Sequence, residues 1–531
     1  MSDAFRAISE SRHFRALLMF VGLLGIVWEL SVWILTGSTQ NLVLGGMAIG
    51  LVIVTVAILN DFRSGFLLFI GWLLFEDLLR KYLGNGTILF FGKDVLAAIT
   101  FLSLLLAKRR GRVPWFKPPF LVPLGLFFAL ALVQVFNTWS PSVLYGLLGL
   151  KLYFYYVPLM YVAYALLRNS RDLERFLVFS LALGLVIALL GIVQSVVGLN
   201  FLNPTSLAPE ISQLATLTRL TPLSHLETPA PTSVFVSAGR FSAYMILVTI
   251  VAMGGQGYLL LTRRKRAAYG FLAIGVAVVG AMQSASRGSI VYTVVSVLFL
   301  SAGFLWGAPW KWGQGRILVK ALRRALFVGG AGLLLMVELF PASIGANWSF
   351  YRETLDPSSP AFELRARVVD YPLLNLMKAF DHPRWPIGYG TGTASLGGQY
   401  ITRLVSNVQF DDISVENGWG TLIVEMGILG PVLWIVWTGS LLYYAWKVVR
   451  KLRETVYFPI GFSIFWYMFL LLGPLSYGGM APYQNFVMNA YFWLLTGVLF
   501  RLPHLAQTPQ VVRQQSVVPK LSRVPALVPG S

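Results

Sequence analysis

The sequence contains no cysteine and only four histidines among its 531 residues. The absence of cysteine excludes disulfides and thiolate metal sites, and it leaves the redox compartment undetermined. Charged residues are also scarce, at 12% of the chain, whereas hydrophobic residues make up 56% and the mean hydropathy is +0.69. A chain with so little charge does not fold as a water-soluble globule over most of its length, so the sequence predicts an integral membrane protein.

Long apolar runs are abundant. A hydrocarbon core about 30 Å thick requires roughly 20 apolar residues per helix, and about fourteen such stretches lie between Phe14 and Phe500. Backbone groups in lipid are satisfied only in helices or closed barrels, and continuous apolar runs exclude alternating barrel strands. The predicted fold is an all-α polytopic membrane protein with about fourteen transmembrane helices in residues 1–500. Residues 501–531 are predicted to form a disordered cytoplasmic tail.

The formal net charge of +20 is distributed in a way that indicates topology. Four basic runs lie in short connections between apolar stretches: AKRRGRVPWFK (107–117), TRRKR (262–266), KWGQGRILVKALRR (311–324) and KVVRKLR (447–453). If the N-terminus is cytoplasmic, all four runs fall on the cytoplasmic side, as the positive-inside rule requires. The pattern predicts that both termini are cytoplasmic, and it favours membrane lipids over nucleic acid as the partner of these charges.

Two long connections fall on the opposite, external side, at about 199–239 and 341–417. The second carries six basic and eight acidic residues, which is not typical of a cytoplasmic loop. Its stretch FELRARVVDYPLLNLMKAF predicts one or two short helices, and DHPRWPIGYGTGTASLGG predicts a turn-rich segment. Because connections of this length in a compact protein are usually functional, we expect the second loop to form part of an active site.

Charged residues at the outer ends of apolar helices are exceptions that need a reason, because charge at lipid depth is usually paired or functional. The stretches that carry them are FEDLLRK (Glu76, Asp77), FFGKDV (Lys93, Asp94), GLKLYF (Lys151), SAGRFSAYM (Arg240) and SASRGSIV (Arg287). Lys93 has a structural alternative, in which it pairs with Asp77 or Asp94 and ties helices together.

Arg240 and Arg287 have no acidic residue within several positions. A guanidinium group at an external helix end can bind an anion such as phosphate through two parallel hydrogen bonds. The alternative is that each side chain extends to the lipid headgroups. The residues alone leave both interpretations open.

Three segments resemble the successive signatures of the O-antigen ligase and polymerase superfamily of lipid-linked glycan transferases. They are SASRGSIV, RARVVDYPLLNLMKAFDHPRWPIGYGTGT and ENGWGTLIVEMGILG. In the third, ligases have His-Asn, an aromatic residue, a glutamate and two glycines, and the matching residues here are Glu416, Asn417, Trp419, Glu425, Gly427 and Gly430. The stretch ERFLVFSLALGLVIALLGIVQSVVGLN also resembles the helix that precedes the family's external loop. The resemblance spans roughly residues 150–500.

The resemblance implies a GT-C-type membrane glycosyltransferase, independent of metal and cofactor, that uses a polyprenyl-diphosphate-linked glycan at the outer face of a bacterial inner membrane. Arg240 and Arg287 would stabilise the departing diphosphate, and Glu416 would deprotonate the acceptor hydroxyl. Arg367 matches the arginine that precedes the family's loop helix. The further expected substrate-binding residues are Asn417, Lys93 and Lys151.

Glu416 stands where the ligases have histidine, and an acid-Asn motif is more similar to the surface-polysaccharide polymerases. The leading hypothesis is therefore an inverting polymerase of undecaprenyl-diphosphate-linked repeat units, with flippases and chain-length regulators as further partners. A ligase that transfers glycan to lipid A core or protein is the alternative within the family. A glycan transporter or flippase is the alternative of another class, and it predicts charges spread through both leaflets.

Other interpretations of the motif residues also remain open. Glu416 has the alternative role of a helix N-cap. Glu425 is a weaker candidate base. It follows Glu416 by nine residues, which in a helix places it half a turn away in azimuth and more than two turns deeper. His225 and His382 are external and titratable. Gly427 and Gly430 are expected to allow close helix packing.

Overall fold

The computed structural model describes residues 50, 52–84, 87–204, 217–262, 267–309, 319–320, 341–396, 398, 413 and 415–507, with single positions between 323 and 338. These residues are mostly helical, and eight of the described helices are long and apolar enough to cross a membrane. Two shorter apolar helices cover Leu121–Val135 and Gly270–Gln283. The helical membrane architecture is as predicted. The number of about fourteen spans stays a prediction, because the stretch near Phe14 lies outside the described residues.

The first group of helices is α1 (Phe62–Leu83), α2 (Thr87–Arg109), α3 (Leu121–Val135), α4 (Val143–Phe154), α5 (Leu159–Leu166), α6 (Ser170–Val197), α7 (Ala238–Thr262), α8 (Ala267–Gln283) and α9 (Arg287–Gly307). Helices α4 and α5 together form one candidate span, with a break that ends at Pro158. A proline lacks the backbone N–H that a continuous helix would use, which accounts for the break.

The second group contains α10 (Pro341–Leu355), a π-helix (Ala366–Asp370), α11 (Tyr371–Asp381), α12 (Gly418–Met426), α13 (Leu429–Leu452), α14 (Phe458–Leu470), a π-helix (Leu471–Leu475), α15 (Ser476–Gly478), α16 (Ala481–Gln484) and α17 (Phe486–Gln507). The second π-helix contains Pro474, which explains the widened turn. Helix α17 continues to Gln507, so the predicted start of the tail at residue 501 falls within a helix. Residues 508–531 lie outside the described residues.

A two-stranded hairpin lies in the first external connection, where no strand was predicted. Strand β1 (Thr218–Leu220) pairs antiparallel with β2 (Glu227–Pro229). Each strand is only three residues long, too short to produce an alternating pattern in the sequence. The residues after the hairpin, 230–236, are buried without being helical. Non-helical backbone is tolerated in a membrane protein where other protein groups satisfy its N–H and C=O groups.

The core surrounds α7, which is buried along most of its length. A helix that is apolar on all sides is expected at the centre of a bundle. Helix α14 approaches it closely, because a Cβ atom built on Gly257 would lie 2.5 Å from the Pro459 side chain. Glycine at such a contact allows two backbones to meet. Trp434, Trp437 and Trp493 form an aromatic cluster between α13 and α17.

The two ends of the bundle carry different charges. Exposed basic residues follow α2 and end α13, in the runs that were predicted to be cytoplasmic. At the other end, where α1 finishes and α7 and α9 begin, acidic and basic side chains are paired and partly or fully buried. The asymmetry is typical of a membrane protein with a fixed orientation. Which end faces the cytoplasm stays a prediction.

Candidate functional site

Arg240 and Arg287 lie near each other at the start of neighbouring helices. Arg240 is in the first turn of α7 and Arg287 is the first residue of α9. The Ser289 hydroxyl donates to the Ser242 carbonyl oxygen at 3.4 Å, which joins the two helices within one turn of both arginines. Their side chains are 27% and 22% exposed. Both guanidinium groups are therefore accessible at the same end of the bundle.

The partner of Arg287 comes from the second external connection. Its Nη1 lies 2.5 Å from Oε2 of Glu363, and the same carboxylate accepts from Nε of Arg367 at 3.2 Å. The Arg287 guanidinium also lies over the Phe350 ring, 4.7 Å from its centroid. Its Nε has no hydrogen-bond partner among the described residues. One carboxylate thus holds two arginines.

The contacts continue from Arg367 to Glu416. The π-helix and α11 place Arg367 and Tyr371 on one side, with the guanidinium 5.4 Å from the Tyr371 ring centroid. The Tyr371 hydroxyl donates to the Glu416 carboxylate. That hydrogen bond raises the pKa of Tyr371, so the phenol stays protonated at neutral pH and continues to donate. We call the series Arg287, Glu363, Arg367, Tyr371 and Glu416 the arginine–glutamate chain.

Asn417, and not Glu416, caps α12. The Asn417 Oδ1 accepts from the backbone N–H of Gly420 at 2.8 Å, and its Nδ2 donates to the Pro372 carbonyl at 2.9 Å. The interpretation of Glu416 as an N-cap is therefore wrong. Asn417 is fully buried, so it holds α11 against α12 beneath Glu416 and does not offer a surface to substrate. Glu416 itself is exposed.

Arg219 joins the site without having been singled out in the sequence. It lies on β1, and its Nη1 donates to the Ala285 carbonyl at 2.7 Å, in the turn before Arg287. Ala285 has a φ of 48°, a left-handed conformation that is uncommon for alanine. Burial lowers the pKa of Arg219, and the charge of Arg367 acts in the same direction. One sequence feature could have identified Arg219: it is an arginine in a predicted external connection with no acidic residue close by. Arg240 was selected for the same feature.

Lys93 and Lys151 belong to a buried network of charges beside Arg240. Lys93 Nζ lies 2.8 Å from Glu76, and Lys151 Nζ lies 2.6 Å from Asp94. The partner of Lys93 is thus Glu76, although Asp77 or Asp94 was expected. Lys93 is only 1% exposed, so this structure does not present it to a substrate.

Asp77 links that network to Arg240. Its two carboxylate oxygens contact Arg240 Nη1 at 2.8 Å and Arg80 Nη1 at 3.2 Å. Nearby Lys81 donates to the Thr232 hydroxyl at 3.0 Å, in the buried non-helical segment. Five basic side chains in this group face three acidic ones: Arg80, Lys81, Lys93, Lys151 and Arg240 against Glu76, Asp77 and Asp94. The excess of basic groups favours an anion near Arg240.

The Lys93–Glu76 pair gives a stability prediction. Replacing Lys93 with methionine leaves the Glu76 carboxylate buried without its nearest cation, and we expect the free energy of unfolding to fall by about 3 kcal/mol or more. The double replacement Lys93→Met/Glu76→Gln should recover much of the loss. Lys378→Met is the control, since Lys378 is exposed. Thermal unfolding of the purified protein measures the effect, and wild-type stability in the single variant would contradict the pairing.

Glu425 anchors residues 382–396, the turn-rich stretch after α11 that is called here the glycine-rich segment. Its oxygens accept from the Tyr153 hydroxyl at 3.0 Å, the Ser395 hydroxyl at 2.5 Å and the Ala394 N–H at 3.2 Å. Gln484 donates to the same tyrosine and serine hydroxyls. The side chain is fully buried. These contacts use both carboxylate oxygens to fix the segment against α4 and α12, which supports a structural role.

Gly427 packs against the glycine-rich segment, and not against another helix as expected. A Cβ atom on Gly427 would overlap the Pro386 carbonyl oxygen, and one on Gly388 would lie 2.6 Å from the Gly427 nitrogen. Gly427 has a φ of 70°, which favours glycine. Gly430 approaches the Leu422 carbonyl in the preceding helix, where a Cβ atom would lie 2.5 Å away.

Replacing Gly427 with valine should therefore destabilise the protein strongly. We expect a loss of about 3 kcal/mol or more, because the residue would be strained in its backbone and would also displace the segment that Glu425 anchors. Gly439→Val is the matched control, since a Cβ atom there meets nothing within 4 Å. Thermal unfolding compares the two, and equal stability would show that the close contact at Gly427 is incorrect.

His225 and His382, the two histidines predicted to be external, lie outside the arginine–glutamate chain. His225 is exposed at the tip of the hairpin with a φ of 53°. His382 follows α11, with its ring 6.1 Å from the Tyr389 ring. In the described part of the chain, no group of three or more His, Cys, Asp or Glu residues is placed to hold a metal ion.

Comparisons with protein-family models, with curated proteins and with solved structures find no match to this sequence. The resemblance to the O-antigen ligase and polymerase superfamily thus stays a prediction. The contacts of the arginine–glutamate chain are observed in this structure and do not require a known relative.

Proposed function

We propose that this protein is an inverting membrane glycosyltransferase that polymerises undecaprenyl-diphosphate-linked oligosaccharide repeat units at the outer face of a bacterial inner membrane. The observation that carries the proposal is the arginine–glutamate chain. It brings an exposed carboxylate and accessible arginines together from α9, the second external connection and the start of α12. These are the groups that transfer from a diphosphate to a hydroxyl requires: a proton acceptor and cations for the leaving group.

Glu416 is the proton acceptor in this proposal. The acceptor hydroxyl oxygen attacks the anomeric carbon of the lipid-linked glycan while its proton passes to the Glu416 carboxylate. The bond between that carbon and the diphosphate oxygen breaks, and polyprenyl diphosphate leaves from the opposite face, which inverts the anomeric centre. Tyr371 holds the Glu416 carboxylate through its hydroxyl. Glu416 later returns the proton to water.

Arginines stabilise the charge that grows on the diphosphate. The Arg287 side chain is 22% exposed and the Arg367 side chain is 58% exposed, so both can donate to phosphate oxygens. Arg240 supports the same end of the donor from α7. Glu363 occupies Arg287 and Arg367 in this structure, and a diphosphate would bind beside this carboxylate or displace it. The donor thus meets arginines that the fold has already brought together, and Glu363 shares or releases them when the diphosphate binds.

Formation of a glycan ladder tests the proposal. Purified full-length protein is reconstituted in liposomes with a defined undecaprenyl-diphosphate repeat unit, and lipid-linked products are separated on a gel. The proposal predicts a ladder of longer lipid-linked glycans, and the double variant Arg287→Ala/Glu416→Gln serves as the control for contaminating activity. Transfer of single glycans to lipid A core or to protein, without a ladder, would indicate the ligase instead.

Transport is a second candidate function, favoured by the buried network of Glu76, Lys93, Asp94 and Lys151. Buried charges within a bundle are a common feature of transport paths. The same liposomes distinguish it, because a transporter moves the intact lipid-linked substrate between leaflets. Movement of substrate with no new glycosidic bond would overturn the glycosyltransferase proposal.

A further inference from the structure

A cavity of about 170 Å³ lies at the end of the bundle opposite to the candidate site. It opens where α1 begins, α2 ends and the connection between α5 and α6 passes. Its polar lining consists of Asn60, Asp61, Ser103, Arg110, Arg112 and Arg168. The cavity therefore collects basic residues from two separate connections around one space.

Three arginines line this cavity against one acidic residue, Asp61. The Ser103 hydroxyl donates to the Ile58 carbonyl at 2.6 Å, so it has no proton to offer a ligand. The Asp61 carboxylate accepts from the Arg63 backbone N–H at 3.1 Å. The donors available to a ligand come mainly from the three arginines, whose planar groups match phosphate oxygens.

Arg63 follows the lining residue Phe62 in the sequence but does not itself line the cavity. Its Nε and Nη2 are buried and have no hydrogen-bond partner in the part of the chain that the structure describes. The closest acidic atom to Nη2 is Oδ2 of Asp172, at 3.9 Å, which is long for a hydrogen bond. The Arg63 charge therefore faces Asp172 and is not counted among the donors of the cavity.

Neighbouring side chains place the cavity at a membrane–water interface. Trp115 stacks on Tyr161 with ring centroids 4.3 Å apart, and Lys108 Nζ lies 3.9 Å from the Trp115 centroid. Tryptophan, tyrosine and lysine are enriched at the level of lipid headgroups. One turn further into the bundle, the apolar side chains of Val56 and Leu102 are 54% and 51% exposed. Acyl chains would have an apolar surface next to the arginines.

We propose that this cavity binds the phosphate headgroup of an anionic phospholipid, with the acyl chains against the exposed apolar side chains of Val56 and Leu102. The proposal is independent of the glycosyltransferase proposal, because the cavity lies at the other end of the bundle. Free inorganic phosphate could make the same hydrogen bonds. The position of the cavity beside Trp115 favours a lipid headgroup as the source of the bound phosphate group.

Lipid titration of the purified full-length protein tests this site. Protein delipidated in detergent is titrated separately with phosphatidylglycerol, phosphatidylcholine and inorganic phosphate, and the thermal unfolding temperature and bound lipid phosphorus are measured. We expect phosphatidylglycerol to raise the unfolding temperature at much lower concentration than the other two. The triple variant Arg110→Gln/Arg112→Gln/Arg168→Gln should bind it about tenfold more weakly, because charge-assisted hydrogen bonds to phosphate are lost.

A second triple variant, Lys447→Gln/Arg450→Gln/Lys451→Gln, removes the same charge from the end of α13 and should keep wild-type affinity. Equal weakening in both triples would overturn the proposal, since it would show attraction to the whole basic surface. Stabilisation by inorganic phosphate at the concentrations effective for phosphatidylglycerol would overturn the lipid as the source. If the first triple variant does not fold, the single variants Arg112→Gln and Arg168→Gln give the same comparison at exposed positions.

Discussion

Replacing Glu416 with glutamine should lower the rate of glycan transfer by about 10²–10⁴-fold, the usual contribution of a general base. Glutamine has nearly the same shape and still accepts a hydrogen bond from Tyr371, but it cannot take the proton of the acceptor hydroxyl. The loss should therefore appear in kcat, with little change in substrate affinity. Initial rates of lipid-linked product formation at saturating donor measure it.

The control for this prediction is Asp381→Asn, which removes an exposed carboxylate at the end of α11. It should retain wild-type activity. Tyr371→Phe should have an intermediate effect, because it removes the hydrogen bond that holds the carboxylate and leaves the base in place. Wild-type kcat in Glu416→Gln would assign the proton acceptor to another group and contradict the proposed role.

Replacing Arg287 with alanine should lower the transfer rate by about 10²–10³-fold, as expected when one preorganised donor to a developing charge is removed. Arg287→Lys should recover only part of the rate, because lysine keeps the charge but cannot form two parallel hydrogen bonds. The matched control is Arg352→Ala, an exposed arginine on α10. Single-turnover release of polyprenyl diphosphate measures the step directly.

A structural explanation of the Arg287 effect is separable from a catalytic one. Glu363, the partner of Arg287, is 30% exposed and also contacts Arg367, so it remains solvated and paired when Arg287 is removed. The unfolding temperature of Arg287→Ala should then stay close to that of the wild type. A variant that unfolds early and recovers its rate at low temperature would contradict a role in leaving-group stabilisation.

The helical architecture could be predicted because the apolar runs are long enough to determine it locally. Helix α9, for example, begins at Arg287, where the polar stretch SASR meets an apolar run. The hairpin of residues 218–229 could not be predicted, since each strand is three residues long and the turn between them is held by a distant residue, Glu353, which accepts from the backbone N–H of Leu223. Such distant contacts leave no periodic signal in the sequence.

The residues of the candidate site were largely predictable by type, but their partners were not. Arg240 and Arg287 were singled out because they lack acidic neighbours in the sequence. Their partners, Asp77 and Glu363, are distant in the sequence and meet them only in the folded bundle. Glu416 was the candidate N-cap of α12, whereas the cap in the structure is Asn417. Hydrogen-bonding direction at a helix end depends on backbone angles that composition does not fix.

An accessibility measurement on Glu416 tests the central claim, that this end of the bundle faces outward and binds a lipid-linked glycan. Because the chain lacks cysteine, Glu416→Cys introduces a single thiol. A membrane-impermeant maleimide is added to sealed spheroplasts and to inverted vesicles, with Lys451→Cys as the control at the opposite end. We expect Glu416→Cys to be labelled in spheroplasts and protected by the lipid-linked repeat unit, and Lys451→Cys to be labelled only in inverted vesicles. Labelling of position 416 only in inverted vesicles, or labelling unaffected by the substrate, would contradict it.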